Sequence, residues 1–245
     1  MGYTYQGFMH KIKIIAGATL LLLVSALHSD GQIYSTIDSL HRALELETVD
    51  TNKIKQLNAL VRNTLFSNTD QALQYALDFD SIAHQIGNPA EMARGTNFIG
   101  MCHQIGGRPD SAITYYLAAL HEYESLNDTL YQGILLNNIG SCSRIRGRYD
   151  ETIGYYRRAL EKFRSVNNQE WIANSLNNIG AEHMLMEQFD SSIFYLSQAT
   201  PLFRSLDKKE ELATTLGNIG GSHVMLGNWD EAISYFEESE SKLTR

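Results

Sequence analysis

The sequence predicts an all-α solenoid, and three observations lead to that prediction. First, the segment Leu136–Gly140 (Leu-Asn-Asn-Ile-Gly) returns at a constant interval as Leu176–Gly180 and again as Leu216–Gly220. Second, an aspartate and a tyrosine recur at the same interval, in the sets Asp70, Asp110, Asp150, Asp190, Asp230 and Tyr75, Tyr115, Tyr155, Tyr195, Tyr235. Third, no segment alternates apolar and polar residues as a half-buried strand would. Internal repeats of roughly 20–50 residues are typical of solenoids, in which each unit packs only on its neighbours.

The N-terminal segment 1–31 is predicted to be a signal peptide. Lys11 and Lys13 precede an apolar run from Ile14 to Ala26, which small and polar residues follow. This run is shorter than the roughly 20 apolar residues that a membrane-spanning helix needs. Cleavage is expected between Ala26 and Gln32. We therefore expect an exported protein, periplasmic or extracellular in a bacterium, with no stable membrane span in the mature chain.

Two alternatives to this interpretation of the N-terminus stay open. Translation starting at Met9 would leave a more usual short basic segment before the apolar run. A buried core helix would have a similar apolar composition. A start at Met9 is compatible with export, and the mass of the mature N-terminus would distinguish export from the buried helix.

Residues 32–50 are predicted to form a capping half-repeat made of one helix. Its apolar face carries Ile33, Ile37, Leu40 and Leu44 at helical spacing. Five repeats, each of two helices A and B, are expected to follow at 51–90, 91–130, 131–170, 171–210 and 211–245.

The third repeat illustrates the expected boundaries of the helices. Helix A should run from about Leu130 to Arg146, and Gly147 should end it, because glycine adopts positive φ at little cost. Asp150 is expected to be the N-cap of helix B, its carboxylate accepting from free backbone N–H groups.

Capping-box spacing marks the start of the following A helices. Asn167 precedes Glu170, and Asp207 precedes Glu210, by three positions. The segment Asn88-Pro89-Ala90-Glu91 has the same spacing, with proline at the first helical position.

These repeats resemble the tetratricopeptide repeat (TPR). The matching residues of the third repeat are Leu136, Ile139, Gly140, Gly147, Tyr149, Asp150, Tyr156 and Ala159, and those of the fifth are Leu216, Ile219, Gly220, Gly227, Trp229, Asp230, Ala232 and Phe236. The resemblance covers about residues 33–245 and implies a right-handed superhelix of antiparallel helix pairs. It also implies that the first glycine of each repeat, such as Gly140 or Gly180, lets helices A and B approach closely. The fourth repeat departs from the pattern, because Glu187 replaces the second glycine.

The long period, from Gly140 to Gly180 and from Gly180 to Gly220, is similar to that of the arrays in kinesin light chains and in many bacterial signalling proteins. A half-repeat with the segment Ser39 to Leu44, preceded by a signal peptide, is also similar to the sensor regions of certain bacterial transducers. In those proteins a membrane helix and a kinase, cyclase or DNA-binding output domain follow.

Composition and motifs argue against several classes of function. The formal net charge is −8, and an acidic surface repels phosphate backbones, so we expect no nucleic-acid partner. The chain lacks phosphate-binding, nucleophile-elbow, HExxH and CxxC motifs, so we expect neither catalysis nor a cofactor. Cys102 and Cys142 lie one period apart, too far for a disulfide, and are expected to be buried thiols.

Two further rows of repeated residues are interpreted as packing residues. His103, His183 and His223 share one repeat position, where stacked equivalents lie too far apart to share a zinc ion. The row Tyr115, Tyr155, Tyr195 and Tyr235 is expected to pack between helices rather than to form a ligand platform. The acidic segment Glu237–Glu240 is expected to be the solvated face of a terminal cap, and the terminal repeat is a candidate for self-association.

The candidate binding residues are asparagines in the middle of the A helices, where asparagine costs stability relative to alanine. They are Asn58, Asn97, Asn137, Asn138, Asn177, Asn178 and Asn218. The resemblance implies that this face lines a concave groove in which side-chain amides hold the backbone of an extended peptide. The alternative is that the amides bond to one another between repeats and fix the stack.

The sequence thus favours an exported, non-catalytic scaffold that binds a protein or an extended peptide. The alternative is the sensor region of a larger signal transducer, whose output domain does not lie within this sequence.

Overall fold

The computed structural model describes residues 36–44 and 50–243, and these residues form helices joined by short turns. The helices are α1 (36–44), α2 (Asp50–Thr64), α3 (Thr69–Ile86), α4 (Pro89–Ile105), α5 (Pro109–Ser125), α6 (Thr129–Ile145), α7 (Tyr149–Ser165), α8 (Gln169–Leu185), α9 (Phe189–Ser205), α10 (Lys209–Met225) and α11 (Trp229–Leu243). No strand occurs within these ranges, which confirms the all-α fold class. The predicted signal peptide lies outside the described residues.

The chain divides into two compact units, Met1–Ile82 and Ala83–Arg245, with the boundary inside α3. In the first unit, α2 buries one face that includes Ile54, Leu57 and Leu60. The second unit contains four helix pairs, in which α4, α6, α8 and α10 are the A helices and α5, α7, α9 and α11 the B helices.

Helices of the second unit pack in sequence order. Each A helix packs on the B helix of its own repeat, and each B helix packs on the A helix of the next repeat. The A helices α8 and α10 also contact each other, whereas no two B helices make a comparable contact among the residues described.

Glycine at one position of each A helix permits the close contact inside each pair. A Cβ atom on Gly140 would lie 2.8 Å from the ring of Tyr156, and one on Gly180 would lie 2.6 Å from Cγ of Leu196. Real Cβ atoms essentially never come that close to another heavy atom. The expectation that Gly140 and Gly180 mark the A–B contact is thus confirmed.

The A–B turns depend on one residue with positive φ. Gly147 has φ +71°, and the next N–H, of Arg148, donates to the Ser143 carbonyl at 3.1 Å. Gly147 therefore ends helix A as predicted. The prediction for Asp150 is wrong: the N-cap of α7 is Arg148, which makes no side-chain cap bond, and Asp150 lies within the first turn. Only one residue separates Gly147 from α7, so the helix begins before the aspartate.

In the B–A turns before α8 and α10, the N-cap lies one residue later than predicted. Asn167 and Asp207 adopt φ +53°, the left-handed conformation that ends the preceding helix. Asn168 is the N-cap of α8 instead, and its side chain accepts from the Trp171 N–H at 3.2 Å. Lys208 occupies the corresponding position before α10, without a side-chain cap bond. By contrast, Asn88 caps α4 as predicted.

The predicted packing residues lie between helices of the same repeat. The histidine rings stack on tyrosine rings of the following B helix in the pairs His103–Tyr115, His183–Tyr195 and His223–Tyr235, with centroids 5.2–5.4 Å apart. Cys102 and Cys142 are free and fully buried thiols. Burial raises the pKa of each thiol to about 11.

Candidate functional site

The candidate site is one stripe on the A helices of the second unit, called here the A face. In the third repeat it consists of Ile134, Asn137, Asn138, Ser141, Arg144 and Ile145, and in the other three repeats of the residues at the same positions. Spacings of three and four place these residues on one side of each helix. In the third, fourth and fifth repeats all of them are half-buried or exposed. The third, fourth and fifth repeats thus each present one accessible stripe, whereas Asn97 and Phe98 of the second repeat are buried.

The A face carries no carboxylate in any of its four repeats, although the chain as a whole is acidic. Its charged residues are Arg94 and Arg144. Arg94 is already paired, because both carboxylate oxygens of Glu91 accept from its guanidinium, at 2.7 and 3.0 Å. The stripe itself therefore carries no negative charge, and each of its two guanidinium groups is paired with a carboxylate that lies outside it.

Three of the predicted asparagines bond between repeats. The Asn178 amide donates to Oδ1 of Asn137 at 3.0 Å, which links α8 to α6. Asn177 Oδ1 accepts from the Thr215 hydroxyl at 2.9 Å, which links α8 to α10. These asparagine side chains are only half-buried. These bonds are the ones expected if the amides hold neighbouring repeats together, which is the alternative interpretation of the asparagines.

Asn138 and Asn218 differ from Asn178, although all three share one repeat position. Both are half-buried on the A face, and neither side chain makes a hydrogen bond to the residues that the structure describes. A free side-chain amide offers both donors and an acceptor. These two asparagines are therefore the members of the predicted set that can bind a ligand without breaking a contact.

The remaining two asparagines have other surroundings. Asn97 is 5% exposed, and its Oδ1 has no hydrogen-bond partner among the described residues. Asn58 lies on α2 in the first unit, where its Oδ1 accepts from Nε of Arg62 at 2.8 Å. Which of the predicted asparagines contact a ligand stays a prediction.

Sequence reasoning missed an ion pair at the edge of the A face. Nε of Arg144 lies 3.5 Å from Oε1 of Glu182, whose side chain is only 2% exposed. Burial raises the pKa of the Glu182 carboxyl, and the neighbouring guanidinium opposes that rise. Burial and then the charge of Glu182 raise the pKa of Tyr156 to about 12. The sequence did contain a signal for this ion pair, because Glu182 is charged at the repeat position where Cys102, Cys142 and Ser222 are small and uncharged.

A row of exposed apolar residues was also missed. Ile105, Ile145, Leu185 and Met225 occupy the last position of the A face in successive repeats, and they are 41%, 57%, 52% and 63% exposed. Their common register with the period of the repeats is visible in the sequence. Periodicity alone cannot distinguish such a row from buried positions, since both recur at helical spacing.

Neither a metal centre nor a membrane span is found in the part of the chain that the structure describes. Within residues 36–44 and 50–243 no three His, Cys, Asp or Glu side chains are grouped to hold an ion. None of the described helices is both long and apolar enough to cross a bilayer.

Helix pairs in register, packed only on their neighbours, define an α-solenoid. The particular family follows from comparison with family models: the tetratricopeptide repeat matches residues 91–165, 131–205 and 171–243, more than half of the chain. The chain belongs to the tetratricopeptide repeat family, which confirms the resemblance noted from its residues. Among curated protein sequences none matches this chain.

Solved structures share the fold at low sequence identity. BtubC (BKLC) from P. vanneervenii is 15% identical, with a TM-score of 0.74 over 87% of this chain and 89% of BtubC. A signal transduction ATPase with numerous domains from Pyrococcus horikoshii, which has a tetratricopeptide repeat sensor, is 16% identical with a TM-score of 0.74. That match covers 86% of this chain but only 33% of the ATPase.

A Rap protein complexed with competence and sporulation factor is 13% identical, with a TM-score of 0.68 over 88% of this chain and 71% of the Rap protein. At such identities the likeness concerns the fold alone.

Proposed function

We propose that this protein is an exported, non-catalytic scaffold that binds a protein or an extended peptide on the A face. The observation that carries the proposal is the composition of that face: half-buried amides without carboxylates, two of which, Asn138 and Asn218, have no partner among the described residues. A backbone segment offers both donors and acceptors to such amides. The Rap complex supports the proposal, since a related fold holds another molecule.

The test compares two double variants in a pull-down with the purified chain. Asn138→Ala with Asn218→Ala removes the free amides, whereas Ser197→Ala with Ser234→Ala changes exposed residues of the B helices. The amide variant should lose about 1 kcal/mol of binding per hydrogen bond and hold or gain stability, because alanine favours helix. The serine variant should capture the same proteins as the parent. Equal capture by both variants would exclude the A face.

Export is the second part of the proposal, and it is supported by Lys11, Lys13 and the apolar run Ile14–Ala26. Mass measurement of the mature protein should show the loss of about the first 26 to 31 residues. Soluble cytosolic protein that keeps Met1 or Met9 would contradict export.

A sensor region of a larger transducer is the alternative function. The repeat sensor of the Pyrococcus ATPase favours it, because this chain spans about a third of that protein. The genomic reading frame after Arg245 decides between the two: an output domain there would make the array a sensor.

Self-association through α11 is a further part of the proposal. Trp229, Ile233 and Phe236 on this helix are 62%, 55% and 43% exposed, whereas Tyr116 and Tyr156, at the position of Phe236, are 0% and 3% exposed. Packing of two copies through α11 would cover these apolar residues.

A further inference from the structure

A cavity of about 300 Å³ lies at one edge of the fifth repeat, between the start of α10 and the end of α11, and is called here the fifth-repeat cavity. Phe203 and Leu212, which are 1% and 4% exposed, form its floor. Its walls carry four cationic side chains, which are those of Arg204, Lys208, Lys209 and Lys242. The volume is at the lower end of the range usual for small-molecule sites, roughly 300–1,000 Å³.

The fifth repeat lacks an aromatic side chain that the two preceding repeats have next to this region. The third residue of their A helices stacks on a ring near the end of the preceding B helix, in the pairs Tyr123–Tyr131 and Phe163–Trp171, with centroids 4.6 and 5.1 Å apart. Glu211 takes that position in α10 and is exposed. Phe203, the equivalent of Phe163, therefore has no aromatic ring of α10 stacked on it.

A second apolar side chain is missing from the same region. Leu202, close to the end of α9, packs against the hydrophobic core. Lys242 takes its position in α11. Because burying an ammonium group is costly, a lysine keeps its charged end in water and covers apolar surface with its stem. Together with Glu211, this replacement deprives the fifth repeat of the apolar volume that a tryptophan and a leucine provide in the fourth.

Two of the four cations around the fifth-repeat cavity are already engaged by carboxylates. The Arg204 guanidinium donates to Oε1 of Glu238 at 2.7 Å. The Lys208 ammonium pairs with the carboxylate of Glu170, on α8. We therefore assign neither cation the role of binding a further anion.

Lys209 and Lys242 are the cations available to a ligand. Lys209 is exposed and forms no ion pair or hydrogen bond with the residues that the structure describes. The Lys242 ammonium lies 3.9 Å from Oε1 of Glu238, which is beyond hydrogen-bond distance. Asp207 is the one carboxylate among the described residues that line the cavity. The lining is therefore more positive than negative, in a chain whose formal net charge is −8.

We propose that the fifth-repeat cavity binds a small organic anion. One or two fused rings lie against Phe203, Leu212 and the lysine stems, in place of the missing tryptophan and leucine. A carboxylate or phosphate group on those rings pairs with Lys209 and Lys242. None of the lining residues belongs to the A face, so this site goes beyond the proposed function.

Ligand-observed NMR titration of the purified chain with naphthalene derivatives tests the proposal. Naphthoate and naphthyl phosphate carry both the rings and the anion, naphthalenemethanol carries the rings alone, and acetate and inorganic phosphate carry the anion alone. The tighter of the two naphthalene anions identifies the preferred anionic group.

That tighter anion should bind about fivefold more tightly than the alcohol, as expected for partly exposed ion pairs. It should bind at least about tenfold more tightly than acetate or inorganic phosphate, which have no rings to bury. The proposal would be overturned if neither naphthalene anion bound measurably, or if the alcohol bound as tightly as the better anion.

Protein variants locate the anionic group of the probe. Lys209→Gln with Lys242→Gln should weaken the tighter anion about fivefold and leave the alcohol unchanged, because only charge is removed. Lys55→Gln with Lys162→Gln is the matched control, since these lysines lie on α2 and α7, outside the cavity. The control should bind every probe as the parent does. An equal loss in the control would mean that overall charge causes the effect, and would overturn the assignment.

A filled cavity provides an independent test. Glu211→Trp supplies the side chain that the fourth repeat has as Trp171, so it should weaken both naphthalene anions about tenfold or more while the melting temperature holds or rises. Unchanged affinity in the folded variant would overturn the proposal, and the lysine variants decide if this variant does not fold. Asn138→Ala with Asn218→Ala should bind the probes as the parent does. A loss there would place the probes on the A face instead.

Discussion

Gly180 illustrates, at the scale of single residues, how the repeat depends on a missing side chain. A Cβ there would lie 2.6 Å from Cγ of Leu196, whereas one on Gly154 in α7 would meet nothing within 4 Å. Gly180→Ala should therefore reduce the free energy of unfolding by about 1–3 kcal/mol through overpacking. Gly154→Ala should increase it by about 0.5–1 kcal/mol, because alanine favours helix. Urea denaturation measures both, and a stabilised Gly180→Ala variant would contradict the close contact.

Glu182 should make stability depend on pH. Burial raises the pKa of this carboxyl in the folded state above its ordinary value of 4.5. A raised folded pKa gives a stability contribution that is fully present below the unfolded pKa and is lost as pH rises through the folded pKa. Relative to Glu182→Gln, the parent protein should thus lose stability as the pH rises above the ordinary pKa of 4.5 and through the raised pKa of the folded state.

Urea midpoints of the parent and of Glu182→Gln at several pH values provide the measurement. Glu161→Gln is the matched control, since it removes a carboxylate from the exposed side of α7. The same pH trend in both variants would mean that overall charge, and not the burial of Glu182, causes the effect.

The identity of the bonded amides could not be predicted at this scale. The sequence places Asn137, Asn138, Asn177 and Asn178 at the right positions, but the bond joins Asn178 to Asn137 across two neighbouring repeat positions. That choice depends on the lateral shift between helices, which residue spacing does not contain. For the same reason, nothing in the sequence paired Arg144 with Glu182.

Among the connecting elements, the A–B turn of the fourth repeat is strained. Glu187 has φ +58°, at the position where Gly107, Gly147 and Gly227 have φ between +71° and +78°. The left-handed conformation costs a non-glycine residue about 1–2 kcal/mol, and glycine avoids this cost. Glycine also loses more conformational entropy on folding, which offsets part of the stabilisation. Glu187→Gly should therefore stabilise the protein by up to about 1 kcal/mol.

Gly147→Glu makes the reverse change at the same turn position and should destabilise the protein by a similar amount. Thermal melts of the two variants should move in opposite directions. Shifts of the same sign would show that the left-handed position does not control these turns.

Helix boundaries were predictable to within a residue or two because glycine and asparagine mark the turns. Leu130 to Arg146 was expected for the A helix that extends over Thr129–Ile145. The caps were harder, because aspartate and asparagine suit both an N-cap and a left-handed position. Asn167 takes the second role and Asn168 the first, a division that composition cannot decide.

At the scale of the whole molecule, self-association through α11 should appear as a concentration-dependent mass. Ile233→Glu places a charge among the exposed apolar side chains of α11 and should weaken the dimer about tenfold or more. Leu117→Glu, on α5, introduces the same charge at a site of similar exposure and should have no effect. Sedimentation equilibrium measures both, and a parent that is monomeric at every concentration would contradict the proposal.

The repeat architecture was predictable at this scale because one constant interval governs every helix pair from α4 to α11. The division between Ile82 and Ala83 could not be predicted, because it lies within α3 and does not interrupt the repeat interval. The first repeat lacks both family glycines, because Leu60 and Ser67 occupy their positions.

The two buried thiols can report how often the repeats around them open. Cys102 and Cys142 are fully buried, and with a pKa of about 11 almost none of either thiol is ionised at neutral pH. Only the thiolate attacks a disulfide reagent, so labelling of the folded protein has to wait until the repeat around each cysteine opens. Two adjacent repeats thus carry one reporter each. Single Cys→Ser variants would time the two openings separately, without an introduced cysteine.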